Sequence, residues 1–105
     1  MAGEWIDVGA VDDVREGRGL TAEVDGYPIV VVRCAGELHA VENRCTHDGE
    51  SLDGGEVEDC EIVCPRHFAR FDLRTGEALT PPAYEPIRTF NVREENGRIL
   101  VQCPE

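Results

Sequence analysis

Four side chains able to ligate a metal fall into two short clips, Cys45-Thr46-His47 and Cys64-Pro65-Arg66-His67, with sixteen residues between them. Each clip offers one thiolate and one imidazole. These soft and borderline donors suit zinc or the iron of iron–sulfur clusters, and the short spacings let a tight loop aim both at one centre. A mononuclear Cys2His2 zinc site satisfies the ligand identities. The mixed content of each clip favours a binuclear cluster instead, with both thiolates on one iron and both imidazoles on the other. Small and glycine-bearing sequence follows the first clip, Asp48-Gly49 and Ser51-Leu52-Asp53-Gly54-Gly55, where backbone N–H groups can approach inorganic sulfide. A chain of 105 residues also has enough apolar residues to fold without a zinc staple.

The elements that must position these clips read as β-structure throughout. Trp5-Ile6-Asp7-Val8 opens a short strand, and Val11-Asp12-Asp13-Val14 adds a helical turn before Gly17 and Gly19 break it. Thr21–Val24 and Tyr27–Arg33 flank Asp25-Gly26 as a hairpin, since β-branched residues surround a dipeptide that tolerates positive φ. A turn at Ala35-Gly36 leads to Glu37-Leu38-His39-Ala40-Val41, where alternation is expected to bury Leu38 and Ala40 and leave His39 solvated. From about residue 42 to residue 82 glycines, charges and the clips dominate. There only Glu61-Ile62-Val63 and Ala69-Arg70-Phe71-Asp72 read as strands, as in a loop-rich metal-binding subdomain inserted in a β scaffold. Leu73–Leu79 reads as the turn of a further hairpin, and Pro81-Pro82 as a stiff loop. Ile87–Val92 and Arg98–Cys103 are expected to pair across Asn96-Gly97, the strongest hairpin signal in the chain.

Composition bounds the partners. The chain is expected to be a single domain, residues 1–105, with no room for a second catalytic domain. Ten Lys and Arg against 22 Asp and Glu give a formal charge of −12, which disfavours nucleic acid and anionic membrane and suits a basic protein surface. No apolar run approaches the ~20 residues of a membrane span, and Met-Ala-Gly-Glu-Trp lacks the start of a signal peptide, so a cytoplasmic location is expected. With two of five cysteines in the clips, Cys34, Cys60 and Cys103 remain, which fits a reducing compartment better than a disulfide framework. In a strand, residues 60, 62 and 64 share a face, so Cys60 and Ile62 are expected under the metal site rather than as ligands. Cys34 and Cys103 are expected as small buried hydrophobes. No Ser-His-Asp set, phosphate loop or paired-carboxylate constellation stands out.

The two clips resemble those of the Rieske iron–sulfur family, and Phe71-Asp72-Leu73-Arg74-Thr75-Gly76 resembles the segment after the second clip in its bacterial ferredoxins. The resemblance implies an all-β fold, a Rieske-like antiparallel sandwich or barrel with the inserted cluster-binding subdomain. It implies a Rieske-type [2Fe–2S] cluster, with Cys45 and Cys64 on the buried iron and His47 and His67 on the outer iron through Nδ1. It further implies a monomeric one-electron carrier, not an enzyme, between a flavin-dependent ferredoxin reductase and a terminal Rieske oxygenase. A small subunit of a larger reductase such as nitrite reductase, or a zinc-stabilised interaction module, is the alternative. The Pro81-Pro82 loop resembles the proline segment that covers the cluster from a third side.

Departures from the family pattern are informative. High-potential relatives carry an extra cysteine in each clip, joined as a disulfide; here those positions match Glu50 and Arg66, which suggests an ion pair between the loops instead. The same relatives place hydroxyl-bearing residues where Ala69 and Phe71 stand. Loss of hydrogen bonds to sulfur disfavours the reduced cluster, so a low potential is expected. Phe68 stands where the family usually has Gly, and if that position needs positive φ the backbone there is strained. Its ring is expected either to shield the outer iron or form part of a docking surface, or simply to pack beneath the loop.

Overall fold

The computed structural model describes residues 3–15, 19–46, 49, 51–52, 55–65, 68–81, 83 and 85–103. Ten strands follow in order: β1 (Trp5–Ala10), β2 (Leu20–Val24), β3 (Tyr27–Cys34), β4 (Glu37–Glu42), β5 (Val57–Glu58), β6 (Glu61–Val63), β7 (Arg70–Asp72), β8 (Thr89–Phe90), β9 (Val92–Glu95) and β10 (Arg98–Gln102). A single 3-10 turn at Val11–Asp13 follows β1, where the sequence predicts a helical turn.

Local chemistry sets the hairpins. The pairs Asp25-Gly26, Ala35-Gly36, Asp59-Cys60 and Asn96-Gly97 all have positive φ at both residues, which marks the two-residue turns whose twist matches that of paired strands. Three carry glycine second, where the left-handed conformation is free of Cβ crowding. The fourth carries Cys60, at φ 60°. Cys60 therefore sits in a turn, not on the strand predicted to align it with Ile62 and Cys64.

The strands form three antiparallel sheets, ordered β1-β10-β9, β2-β3-β4-β8 and β5-β6-β7. The four-stranded sheet lies in the middle, and the run Ile29-Val30-Val31-Val32 on β3 shows how. Ile29 and Val31 pack with Val14, Val24, Ala40, Phe90, Ile99 and Val101. Val30 and Val32 pack with Val41, Cys45, Leu52, Ile62, Cys64 and Phe71. Successive residues of a strand point to opposite faces, so one strand serves two cores. A fully buried aliphatic side chain contributes about 1.5–3 kcal/mol by leaving water.

Three expectations change as a result. β4 does not leave one face to solvent: Ala40 joins one core and Val41 the other, and His39 is half-buried rather than solvated. Burial is the main reason its imidazole titrates below its ordinary value; Arg74 lowers it further, while Glu37 and Asp72 act in the opposite direction. The expected strand from Ile87 to Val92 is divided at Asn91. β8 before it pairs with β4, through Ala40 opposite Phe90, and β9 after it pairs with β10, through Val92 opposite Val101. The Asn91 side chain donates to Gln102 Oε1 at 2.8 Å where the chain changes sheets. Finally, β5 completes a three-stranded sheet in which the sequence shows only two strands.

Candidate metal centre

The second clip is the loop of the β6–β7 hairpin. Val63 pairs with Arg70 at the end of the ladder, and the Cys64 N–H donates to the Ala69 carbonyl at 2.7 Å. Within that loop the Phe68 N–H donates to the Cys64 carbonyl at 2.9 Å. The first clip lies beyond β4 and closes in the same way, with the Gly49 N–H donating to the Cys45 carbonyl at 2.7 Å. In both clips the residue four positions after the cysteine donates back to it and lies in the left-handed region, with φ 75° at Gly49 and 62° at Phe68. The two loops thus close with the same backbone bond, and Phe68 occupies the place that Gly49 holds in the first.

Cys45 and Cys64 are both 0% exposed and belong to the same buried cluster, with Leu52, Ala69, Phe71 and Leu73. Both thiols are free of disulfide bonding. His47 and His67, the other two candidate ligands, lie outside the described residues, as do Glu50 and Arg66 of the suggested ion pair and Pro82 of the stiff loop. Ala69 and Phe71, each 0% exposed, bring no hydroxyl to the pocket.

Bracing of the clips comes from residues whose roles the sequence does not announce. The Asn43 side-chain carbonyl accepts from the Leu52 N–H at 2.8 Å and from Ser51 Oγ at 3.0 Å, which folds the segment after the first clip back onto β4. Thr46, inside the first clip, donates through Oγ1 to the Glu85 carbonyl at 2.7 Å. That bond ties the clip to the segment after Pro81, whose Ala83 and Ile87 are buried in the same cluster. Gly55 sits so close to the Val63 carbonyl that a Cβ would collide with it. Only the polarity of Asn43 and Thr46 next to a ligand candidate hinted at these roles.

Phe68 settles one of the two readings given for it. Its ring is 71% exposed, so it does not pack beneath the loop. With Gly55, Glu56, Val63 and Pro65 it rims a hollow of about 260 Å³ beside the second clip. On the sheet behind, Arg70 reaches Glu58 at 3.3 Å and Glu61 at 3.4 Å, a network spanning all three strands. Its guanidinium is held above its ordinary pKa chiefly by the bond to Glu58.

Cys34 and Cys60 depart from expectation outright. They form a disulfide, with Cα atoms 5.5 Å apart. The physical reason is topological: the β3–β4 and β5–β6 turns meet where two sheets abut, a proximity that a sequence separation of 26 conceals. Cys103 is half-buried, packed at the edge of the core between the other two sheets.

An antiparallel scaffold that presents two buried thiols in matching turns defines, as a class, a small β-domain built around a thiolate-held metal group. The chain belongs to the Rieske [2Fe–2S] domain family, whose sequence pattern matches residues 4–91. It is 38% identical over 102 residues to the ferredoxin component of the naphthalene 1,2-dioxygenase/salicylate 5-hydroxylase systems of Ralstonia sp., covering 97% of this chain and 98% of the relative. The ferredoxin of carbazole 1,9a-dioxygenase from Nocardioides aromaticivorans IC177 superposes with a TM-score of 0.89 at 33% identity, covering 98% of this chain and all of that one. A ferredoxin in a complex of reduced oxygenase and oxidized ferredoxin of carbazole 1,9a-dioxygenase matches with a TM-score of 0.84 at 31% identity, over 92% of this chain and 91% of that one.

The cofactor is therefore a Rieske-type [2Fe–2S] cluster, and the chain is an electron-carrying ferredoxin rather than an enzyme. The residues present fit that group. Two soft thiol donors, Cys45 and Cys64, lie together in one buried apolar cluster. Among the described residues no helix is long and apolar enough to cross a membrane.

Proposed function

We propose that Cys45, His47, Cys64 and His67 hold the cluster, the thiolates on the inner iron and the imidazoles, through Nδ1, on the outer one. The observation that carries this reading is the duplication of the clip. Two fully buried cysteines each accept a backbone bond from the residue four positions on, and in each clip the candidate imidazole follows two or three residues later. Residues 1–105 then act as one domain, with the segment from about 42 to 82 as its cluster-binding subdomain. When bound, the cluster takes up and releases one electron. The protein's part is to keep water from the inner thiolates with Leu52, Phe71 and Leu73, each at most 2% exposed, and to present the imidazole edges at the surface.

The partners that suit this carrier are a flavin-dependent ferredoxin reductase and a terminal Rieske oxygenase, with the protein acting as a monomer in the cytoplasm. Support comes from the dioxygenase systems named for its relatives and from a net charge of −12 that favours a basic docking face. The exposed Phe68 beside the second clip offers that face an apolar contact. The dioxygenase names of these relatives favour the oxygenase reading over a nitrite reductase subunit, and the family cofactor displaces the zinc module.

From the missing hydroxyls at Ala69 and Phe71 we infer a potential near the bottom of the Rieske range, around −150 mV. An anaerobic optical titration of the purified holoprotein measures it directly. A clearly positive midpoint would contradict the low-potential assignment, and failure of the reduced protein to reduce a terminal oxygenase's own Rieske centre would contradict the carrier role.

A further inference from the structure

The Cys34–Cys60 bond joins the end of β3, in the middle sheet, to the β5–β6 turn of the sheet that carries the second clip. Its two sulfurs differ in environment. Cys60 is 5% exposed, whereas Cys34 is half-buried at the edge of the clip-side core. Arg74 lies with Nη2 3.2 Å from Cys60 Sγ, and its backbone N–H is fixed by Asp72 Oδ1 at 2.7 Å. A permanent cation thus stands beside the inaccessible sulfur. Cys60 is also coupled to the clip core, since its carbonyl accepts from the Leu73 N–H at 2.9 Å and Leu73 packs in the cluster that contains Cys45 and Cys64.

We propose that Cys34–Cys60 is a reversible thiol–disulfide exchange site, taking a small dithiol or dithiol protein as co-reactant, that fastens and releases the clip-bearing sheet. A thiolate of the dithiol attacks Cys34 Sγ, the sulfur of the less buried partner, and forms a mixed disulfide. The Sγ–Sγ bond breaks with its electron pair going to Cys60, whose developing thiolate is stabilised by Arg74. The second thiolate of the co-reactant then displaces Cys34 and closes the co-reactant's own disulfide. Two electrons and two protons pass from the dithiol to the protein, and the reverse sequence restores the bond. Under the cytoplasmic location proposed above, such a bond belongs with sensing and transient disulfides rather than with structural ones. The chemistry itself does not depend on that location.

The test uses purified holoprotein equilibrated anaerobically with mixtures of reduced and oxidised dithiothreitol, trapped with iodoacetamide and mapped by peptide mass. Cys34 and Cys60 are expected to convert together and reversibly while the visible absorption of the cluster persists. Brief exposure to glutathione should place its adduct on Cys34, at least tenfold over Cys60. Arg74→Gln, checked for folding by its cluster absorption, should slow reduction several-fold at fixed dithiothreitol. Both thiols free after oxidation would overturn the proposal, as would a bond that opens only once the cluster is lost. Equal adducts on the two cysteines, or an Arg74→Gln rate equal to wild type, would overturn the assigned direction of attack.

Discussion

The two faces of the β2-β3-β4-β8 sheet are equally dry and are closed by different means. On one face Ile29, Val31 and Ala40 meet Ile99 and Val101, and nearly every fully buried partner comes from a strand. On the other, Val30, Val32 and Val41 meet Cys45, Leu52, Cys64, Leu73, Ala83 and Ile87, all of which lie outside strands. Strand-on-strand packing is held by its own ladders. Ile62 and Phe71, also on this face, share the β6–β7 ladder. The loop residues rest instead on isolated backbone and side-chain bonds, on the Cys34–Cys60 bond and on the bound cluster. One sheet therefore separates a self-sufficient core from a conditional one, and the chemistry sits on the conditional side.

The largest expected effect breaks the comparison at its centre. Phe71→Ala on the clip face and Ile29→Ala on the scaffold face each remove a fully buried side chain, at a cost of about 3–5 and 2–5 kcal/mol respectively. Denaturant unfolding should show similar losses for both. Cluster content per folded molecule should fall sharply in Phe71→Ala and stay near wild type in Ile29→Ala. Equal cluster loss in the two variants would mean that the faces are not independent.

A smaller effect sharpens the asymmetry between the clips. Phe68 adopts the left-handed turn conformation that Gly49 adopts in the other loop, and a bulky residue there costs on the order of 1–3 kcal/mol. Phe68→Gly should therefore raise stability by up to about 1 kcal/mol after glycine's own entropic cost is counted, read as a higher denaturant midpoint. Electron transfer to the oxygenase should slow. Unchanged transfer with raised stability would show that the ring has no docking role.

Acid titration gives the smallest effect. His39 shares the clip-side face of β4 with Val41, and burial lowers its pKa. A group whose folded pKa lies below its unfolded value contributes stability above the unfolded value, near 6.5, and loses it as pH falls toward the folded one. His39→Gln should flatten the decline in stability below about pH 6.5. An unchanged acid limb would remove His39 from the account.

How much of this was legible in the chain depended on the range of the interaction. Asp25-Gly26 and Asn96-Gly97 announced their hairpins because turn chemistry is local. The two-faced burial of β3 went unread in the continuous apolar run Ile29–Val32, and the alternation in β4 suggested one solvated face, since Leu38 and Ala40 alone looked like core. The division at Asn91 was hidden because Phe90-Asn91-Val92 keeps an apolar–polar–apolar alternation across it. At the site, ligand types and spacing exposed the clips. The bonds of Asn43 and Thr46 could not be read, because their partners are set by tertiary approach. The Cys34–Cys60 pairing was misread for the same reason, as connectivity among distant cysteines does not follow from their positions in the sequence.

The central claim, that two thiolates and two imidazoles from matching clips hold the cluster, is tested most directly by pulsed electron paramagnetic resonance. The sample is the dithionite-reduced protein labelled with nitrogen-15 in its three histidines. The account predicts strong coupling to two imidazole nitrogens, retained in His39→Asn and reduced to one or abolished in His47→Ser and His67→Ser. A reduced cluster with no strongly coupled nitrogen, or couplings altered by His39→Asn but not by the clip variants, would contradict it.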